Sequence, residues 1–253
     1  MSDLVLLSGF LFLILIVLAL VIRFFYWQID QEMKDLARLE TDAEYRAGIL
    51  AKLDERIAGE PTNPTLRKRR ADVRRLAGQH AGVVEDLTVF LEARAEDDSG
   101  WAELAESHLA LQRPAEALRA AEHAAELDPE CLEHYPLRLR AALLARDLAA
   151  GRDILDLWEQ VEDEKRQAEQ ERREPRMIGK DFVPPFDGDP LLPLFRAALA
   201  LADDRQADAE RELRELQAQG PGAAIDLDAL RNDPALAPLL PLLAAEADGG
   251  GAP

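Results

Sequence analysis

The stretch Trp101–Pro129, WAELAESHLALQRPAEALRAAEHAAELDP, predicts two helices joined by a kink at residues 112–114. Small residues at Ala105 and Ala117 would let the two helices approach closely, with larger residues between them supplying the ridges of the contact. Pro129 closes the second helix, because proline cannot continue the hydrogen-bond ladder. Such a pair leaves an apolar face open, so neighbouring pairs must stack to cover it.

The composition of the whole chain agrees with a helical protein. Only 6% of the 253 residues are aromatic, and Ala, Leu, Glu and Arg dominate, which lose little rotamer freedom in helices. No window after residue 28 shows the sustained alternation of β-branched and aromatic residues that marks strands. The sequence therefore predicts an all-α protein without a sheet.

The charge of the chain limits its partners. It carries 49 Asp and Glu against 30 Lys and Arg, a net charge of −19. A surface of this sign repels phosphates, so no nucleic-acid partner is expected. Cys131 is the single cysteine, so no disulfide can form within one chain and the pattern indicates no redox compartment.

Residues 1–27 predict a transmembrane anchor with an aromatic interface. Leu4–Ile22 is uncharged and almost wholly apolar, and a helix of about 19 residues spans the roughly 30 Å hydrocarbon core. A secretory signal peptide is the alternative, but the segment lacks a positive amino end and a small-residue cleavage site. Phe24–Trp27, beside Arg23, resemble the aromatic belt found at membrane surfaces.

The orientation of this anchor follows from the positive-inside rule. No Lys or Arg precedes the span, whereas Arg23, Lys34 and Arg38 follow it. The rule therefore places the carboxy-terminal bulk in the cytoplasm, with the periplasm as the alternative.

The opening stretch also carries a repeat signature, at Trp101, Leu104, Ala105, Ala117, Ala124 and Pro129. The spacing of these residues resembles the tetratricopeptide repeat (TPR), a family of stacked helix pairs with a 34-residue period. His108 stands where the family usually has an aromatic residue, and Ala121 where it has a larger one. These departures predict a thinner core and the same fold.

Weaker copies lie on both sides of this repeat. One period toward the amino end the marker positions hold Ala71, Val83, Leu87 and Phe90. One period toward the carboxy end they hold Tyr135, Leu155 and Trp158. A copy out of phase carries Ala197, Ala209, Leu213, Leu216 and Pro221. The resemblance covers about residues 60–222 and implies an α-solenoid of about four helix pairs after the membrane helix.

These patterns predict the segment boundaries. Residues 28–60 form a juxtamembrane helix, 61–174 the main TPR-like repeats and 175–190 a break rich in Pro and Gly. Residues 191–246 hold the final repeat and a capping helix, because a terminal repeat has no neighbour to cover its outer face. The tail 247–253 is predicted to be disordered.

The resemblance implies a concave groove, lined by the first helix of each repeat, that receives peptides or helices of partner proteins. The matching positions are Lys68, Asp72, Arg75, Glu106, Leu109, Arg140 and Leu143. Some family members grip a terminal carboxylate with Lys, Asn and Arg at set positions of the groove. Lys68 resembles one of these positions, but Asp72 stands where Asn is wanted, which argues against such a clamp.

A dense run of basic residues occurs in LRKRRADVRR, at Arg67, Lys68, Arg69, Arg70, Arg74 and Arg75. Pairing with the chain's own acidic helices, or plain solvation, is the first interpretation of such a run. Contact with anionic lipid is the alternative, and it contributes about 1 kcal/mol per basic residue near a membrane surface. An acidic partner segment would be served equally well.

No pattern in the sequence indicates catalysis or a cofactor. Cys131 and His134 have a C-x-x-H spacing, with His123 nearby, but a structural zinc site normally needs four such ligands. None of the serines lies in a nucleophile elbow, and there is no phosphate-binding glycine motif. We therefore expect a protein that is not an enzyme and holds no metal.

Together these features predict a single-pass protein of bacterial type in the cytoplasmic membrane. Its solenoid would be a scaffold or adaptor that binds other proteins, for assembly or quality control of a membrane or envelope complex. Two alternatives remain: a structural accessory subunit of a larger membrane complex, and a metal-containing regulator that uses Cys131.

Overall fold

The computed structural model describes residues 23, 34, 37–171, 177–178, 181–182, 189–218 and 227–243. The chain divides into two compact units, Met1–Gln79 and His80–Pro253. Apart from Arg23, the predicted anchor lies outside the described residues, as does the predicted tail. Within the described part of the chain, no helix is long and apolar enough to cross a bilayer.

The described part of the first unit is a helix pair, α1 (Ala43–Gly59) and α2 (Pro64–Leu76), which contact each other. Asn63 starts α2, because its side-chain oxygen accepts the backbone N–H groups of Thr65 and Leu66 at 3.1 and 3.2 Å. The apolar core between the two helices contains Leu53, Ile57, Leu66 and Val73.

The predicted juxtamembrane helix 28–60 is interrupted within its described part. Residues 37–41 are helical, but Asp42 is not, and its carboxylate accepts the backbone N–H of Tyr45 at 2.9 Å. This side-chain cap begins a new helix at Ala43. The Arg46 guanidinium donates to the carbonyls of Leu39 and Glu40, both at 2.8 Å, and so bridges the interruption.

The second unit is a stack of helices. Its elements are α3 (His80–Ala93), α4 (Asp98–Ala110), α5 (Pro114–Leu127), α6 (His134–Ala145), α7 (Leu148–Gln170), α8 (Leu192–Ala202), α9 (Gln206–Ala218), α10 (Leu227–Asn232) and a 3-10 turn, Ala237–Leu239. Helices α4 and α5, α6 and α7, and α8 and α9 form successive antiparallel pairs that contact the next pair along the chain. The described residues of this unit therefore form a TPR-like solenoid.

The predicted marker residues lie in the core of this stack. Ala105, Ala117, Ala121 and Ala124 are fully buried. Between the last two pairs, Trp158 is fully buried and stacks on Tyr135 with ring centroids 6.0 Å apart, while Phe195 lies 6.1 Å from Trp158. Aromatic rings thus fill the space that alanines fill in the preceding pair.

The first helix of each pair in the second unit ends in a left-handed turn. Gln112, Arg146 and Asp204 follow α4, α6 and α8 with φ of 57°, 59° and 58°. The first two lie one 34-residue period apart, and Gly78, with φ of 68°, precedes Gln112 by the same interval. A left-handed residue at this position ends a helix and lets the chain reverse into the next one.

The described part of the predicted break contains a short stretch of extended chain. Residues 177–178 pair with residues 181–182 as a two-residue antiparallel ladder, β1 and β2, which departs locally from the expectation of a chain without strands. The solenoid resumes at Asp189, whose backbone N–H donates to the Glu162 carboxylate at 2.6 Å. Glu162 is 2% exposed, and this burial raises its pKa.

The end of the solenoid is covered by the segment 227–243. Leu230, Leu236, Leu239 and Leu243 are buried in one core with residues of α8 and α9. The prolines in this segment prevent a long helix, so it forms the short α10, the 3-10 turn and one further helical turn at residues 240–243.

Candidate partner-binding groove

An apolar groove lies on the face of the second unit formed by the first helices of the pairs. Helix α4 contacts α6, and α6 contacts α8, so these three helices lie side by side. At the carboxyl ends of α6 and α8 the groove has a volume of about 640 Å³. Its lining residues are Leu143, Leu144, Arg146, Leu148, Ala198, Leu201, Ala202, Pro234, Ala235 and Pro238.

The helix period explains why these side chains share one wall. Leu201 follows Ala198 by three residues, so both lie on one face of α8, and Leu143 precedes the turn residue Arg146 by the same interval. Leu143 and Leu201 are half-buried, whereas Ala202 and Arg146 are exposed. The groove therefore presents aliphatic surface from two helices to solvent, with one guanidinium at its rim.

The carboxy-terminal segment closes one end of the groove. Pro234, Ala235 and Pro238 form this end. The segment is held there by an ion pair between Arg140 Nε on α6 and Asp233 Oδ2, at 2.8 Å. Arg140 was predicted to contact a partner in the groove, but the Asp233 carboxylate already occupies its guanidinium. The structure therefore gives Arg140 a role in closing the groove.

Three other predicted groove residues belong to this unit. Leu143 lines the groove directly, and Leu109 on α4 is half-buried against the same core. Glu106, one helical turn before Leu109, is exposed, and its carboxylate has no hydrogen bond or ion pair within the described part of the chain. Among the first helices of the pairs, α4 thus presents a carboxylate, whereas α6 and α8 present aliphatic side chains.

The remaining predicted groove residues lie on α2, in the first unit. Lys68 Nζ is 2.6 Å from Asp72 Oδ1, an ion pair within one turn of the helix. This pairing neutralises the lysine that a carboxylate clamp would need. Arg75 is exposed at the end of α2.

The predicted basic run does not form one solvent-facing patch. Arg70 is 8% exposed and is paired with Asp54 Oδ1 at 2.5 Å. The prediction that Arg70 belongs to a surface patch is therefore wrong. Arg67 Nε donates to the Pro61 carbonyl at 2.8 Å, and Arg74 is half-buried. Arg69 and Arg75 are exposed, and lipid contact stays a prediction for them.

A second cleft in the opening stretch lies beside His108, one of the two departures from the family pattern. It has a volume of about 360 Å³ between α4 and α5, and its walls include Trp101, His108, Glu116, Arg119 and His123. Burial lowers the pKa of His108, so the fold favours its neutral form.

The candidate metal ligands have other contacts. His134 is buried, and its Nε2 lies 3.3 Å from Asp98 Oδ2. The His123 ring meets Trp101 edge to face, with centroids 4.4 Å apart, and its Nδ1 is 3.2 Å from Glu126. Cys131 is half-exposed in the turn before α6. The described residues contain no group of three or more His, Cys, Asp or Glu suited to a metal ion.

Sequence reasoning missed the α8 side of the groove, although a signal was present. Gly151 lies 34 residues after Ala117, at the small position of the third pair, and Ala209 takes that position in the fourth. Counting back eleven residues from Gly151 gives Arg140, and the same count from Ala209 gives Ala198. The long insertion between the two pairs hides this correspondence, because it breaks the 34-residue period.

Comparison with known proteins identifies the fold. No protein-family profile and no curated protein sequence matches the chain. One crystal structure of MamA is similar at 10% identity over 68% of this chain and 86% of its own, with a TM-score of 0.50. A crystal structure of MamA protein is similar at 10% identity over 71% and 88%, with a TM-score of 0.54.

A third solved structure is TTC0263, a thermophilic TPR protein in Thermus thermophilus. It is similar at 15% identity over 86% of this chain and 96% of its own, with a TM-score of 0.48. At this level of identity, similarity between structures indicates the fold alone. The two MamA structures therefore support the fold of this chain, a stack of helix pairs.

Proposed function

We propose that this protein is a membrane-tethered scaffold that binds a segment of a partner protein in the groove formed by α6, α8 and the carboxy-terminal segment. The observation that carries the proposal is the groove itself, which has a volume of about 640 Å³, is lined largely by aliphatic side chains and is open to solvent. A site of this size and character buries apolar side chains, and each Å² of apolar surface removed from water contributes about 25 cal/mol.

The packing of the groove walls also supports the proposal. Leu143 and Leu201 are anchored by a core that contains Trp158 and Phe195, and the Arg140–Asp233 ion pair fixes the closed end. A preformed groove loses little conformational entropy when a partner enters, which favours affinity. The aliphatic side chains at its open end would make apolar contacts, which do not require the fixed geometry of hydrogen bonds.

The tethering part of the proposal rests on the sequence. Leu4–Ile22 has the length and apolarity of a bilayer span, and Arg23, Lys34 and Arg38 follow it. An anchor confines the groove to the membrane surface and raises its effective concentration toward partners there. We propose that the protein resides in a bacterial cytoplasmic membrane, with the solenoid in the cytoplasm, and serves assembly or quality control of membrane complexes.

Cell fractionation and thiol labelling test the tether and its orientation. The full chain should stay in the membrane pellet after an alkaline carbonate wash, whereas a variant lacking residues 1–27 should appear in the supernatant. Cys131, half-exposed, should react with a membrane-impermeant maleimide only after lysis. Release of the full chain by carbonate would contradict the tether, and labelling in intact spheroplasts would reverse the orientation.

A further inference from the structure

We infer that the groove selects a cationic amphipathic segment, with aliphatic residues that enter the groove and with Lys or Arg side chains that face Glu106 on α4. This inference rests on the proposed function and specifies the chemistry of its partner. It is carried by the charge of the second unit, by the position of Glu106 on α4, which contacts the groove helix α6, and by the placement of the neighbouring cations.

The second unit carries almost all of the chain's negative charge. Residues 80–253 contain 38 Asp and Glu against 18 Lys and Arg, a net charge of −20, while residues 1–79 have a net charge of +1. A field of this sign attracts cationic segments and repels acidic ones before any contact forms. Within the unit, residues 80–133 contribute 14 acidic residues and three arginines, so the field is strongest around α3 to α5.

Glu106 places an acidic group on α4, the first helix of the preceding pair, which contacts the groove helix α6. It lies on α4 one turn before Leu109, is exposed, and has no ion-pair partner among the residues that the structure describes. The equivalent position on α6 is Arg140, which is neutralised by Asp233 at 2.8 Å, and on α8 it is Ala198. Of these three positions in the described chain, 106 is therefore the one that holds a charge without an ion-pair partner. An ammonium or guanidinium group of a partner would complement it.

Arg146 fixes the direction in which such a segment lies. It is exposed at the α6–α7 turn, lines the groove, and has no ion-pair partner in the part of the chain that the structure describes. A partner's basic residues would be repelled there and attracted at Glu106. The aliphatic residues of the segment would then lie over Leu144 and Leu201, with its basic residues on the α4 side.

The test measures peptide binding to the full chain in zwitterionic nanodiscs, with empty nanodiscs as the blank. The probes are two labelled amphipathic peptides with identical leucine positions, one with lysines on its polar face and one with glutamates. Fluorescence anisotropy should show the lysine peptide binding about tenfold or more tightly, with the difference shrinking as salt rises. Glu106→Lys should weaken lysine-peptide binding, whereas Arg146→Glu should strengthen it.

Two further variants separate this inference from the proposed function. Leu201→Glu places a carboxylate in the groove and should abolish the aliphatic contact, while the same change at Leu157, which is 47% exposed on α7, should leave binding unchanged. If both peptides bind equally and both need Leu201, the charge inference is wrong and the groove function stands. If neither binds, or if lysine-peptide binding ignores Leu201 and Glu106, the inference is overturned.

Discussion

At the scale of single residues, three of the left-handed turns hold a residue other than glycine, which strains the backbone. A non-glycine residue in this conformation costs roughly 1–2 kcal/mol, because its Cβ crowds the following carbonyl oxygen. Gly78 avoids this cost, but Gln112, Arg146 and Asp204 do not. Gln112 is exposed, uncharged and outside the groove lining, so it is the cleanest position for a test.

We expect Gln112→Gly to raise the free energy of unfolding by about 1 kcal/mol, after allowance for the greater freedom of glycine in the unfolded chain. Gln112→Ala, which retains the Cβ, is the matched control and should give no such gain. Urea unfolding of the three proteins measures the difference. Equal stability of the Gly and Ala variants would show that φ of 57° at this turn is not a source of strain.

A buried carboxylate should make stability depend on pH. Burial raises the folded-state pKa of Glu162 above its ordinary value of 4.5, so protonation of Glu162 favours the folded state. That contribution is fully present below the unfolded-state pKa and is lost as pH rises through the raised folded-state pKa. Glu162→Gln stays neutral and can still accept the Asp189 N–H.

The Gln variant should therefore gain stability relative to the parent as pH rises from about 4 toward 7, and the two should differ least at the acid end. Unfolding curves at a series of pH values measure this difference directly. The opposite trend would mean that attraction between the ionised carboxylate and Arg166, 3.7 Å away, outweighs its desolvation.

Ion pairs between single residues were the hardest features to predict from the sequence. The 34-residue period placed Arg140 in the groove, but a period cannot reveal that Asp233, 93 residues later, pairs with it. The basic run likewise gave no sign that Arg70 reaches back to Asp54, sixteen residues earlier on α1. Both pairs join separate segments, and they depend on tertiary packing that local patterns do not encode.

At the scale of elements, close helix packing depends on the small residue early in the second helix of each pair. A Cβ on Gly151 would lie 3.0 Å from Leu199 Cδ1, so α7 and α8 approach each other at this glycine. We expect Gly151→Leu to lower the free energy of unfolding by about 2–3 kcal/mol through overpacking. Urea unfolding followed by circular dichroism measures the loss.

Gly48 provides the matched control for this substitution. It lies in the interior of α1, and a Cβ added there would meet no atom within 4 Å. Gly48→Leu should therefore stabilise by about 0.5–1 kcal/mol through helix propensity. A harmless Gly151→Leu change would mean that α7 and α8 can separate without cost, contrary to the packing described.

The elements themselves were largely predictable, because small and aromatic markers recur at fixed spacing. The pattern around Trp101–Pro129 predicted α4 and α5, and the same spacing located α6, α7, α8 and α9. The interruption at Asp42 was missed, although an Asp before an amphipathic run is a helix-start signal. The β1–β2 ladder could not be anticipated, since two-residue strands have too few residues to show alternation.

At the scale of the whole molecule, the chain combines a predicted anchor, a TPR-like solenoid and a strongly negative second unit. The solenoid is supported by the described helices and by solved structures of the same fold. The groove on its first-helix face is lined by α6 and α8 and is closed at one end by Pro234, Ala235 and Pro238. This is the surface that we propose holds a partner segment at a membrane.

The most direct test of groove binding is photo-crosslinking in cells that make the full chain. A photoreactive amino acid replaces Ala202, exposed in the groove, or Leu157, exposed on the outer helix α7. We predict discrete protein adducts from position 202 that disappear when Leu201→Glu is added, and none from position 157. Adducts from 157 alone, or adducts from 202 that persist with Leu201→Glu, would contradict the claim that this groove binds the partner.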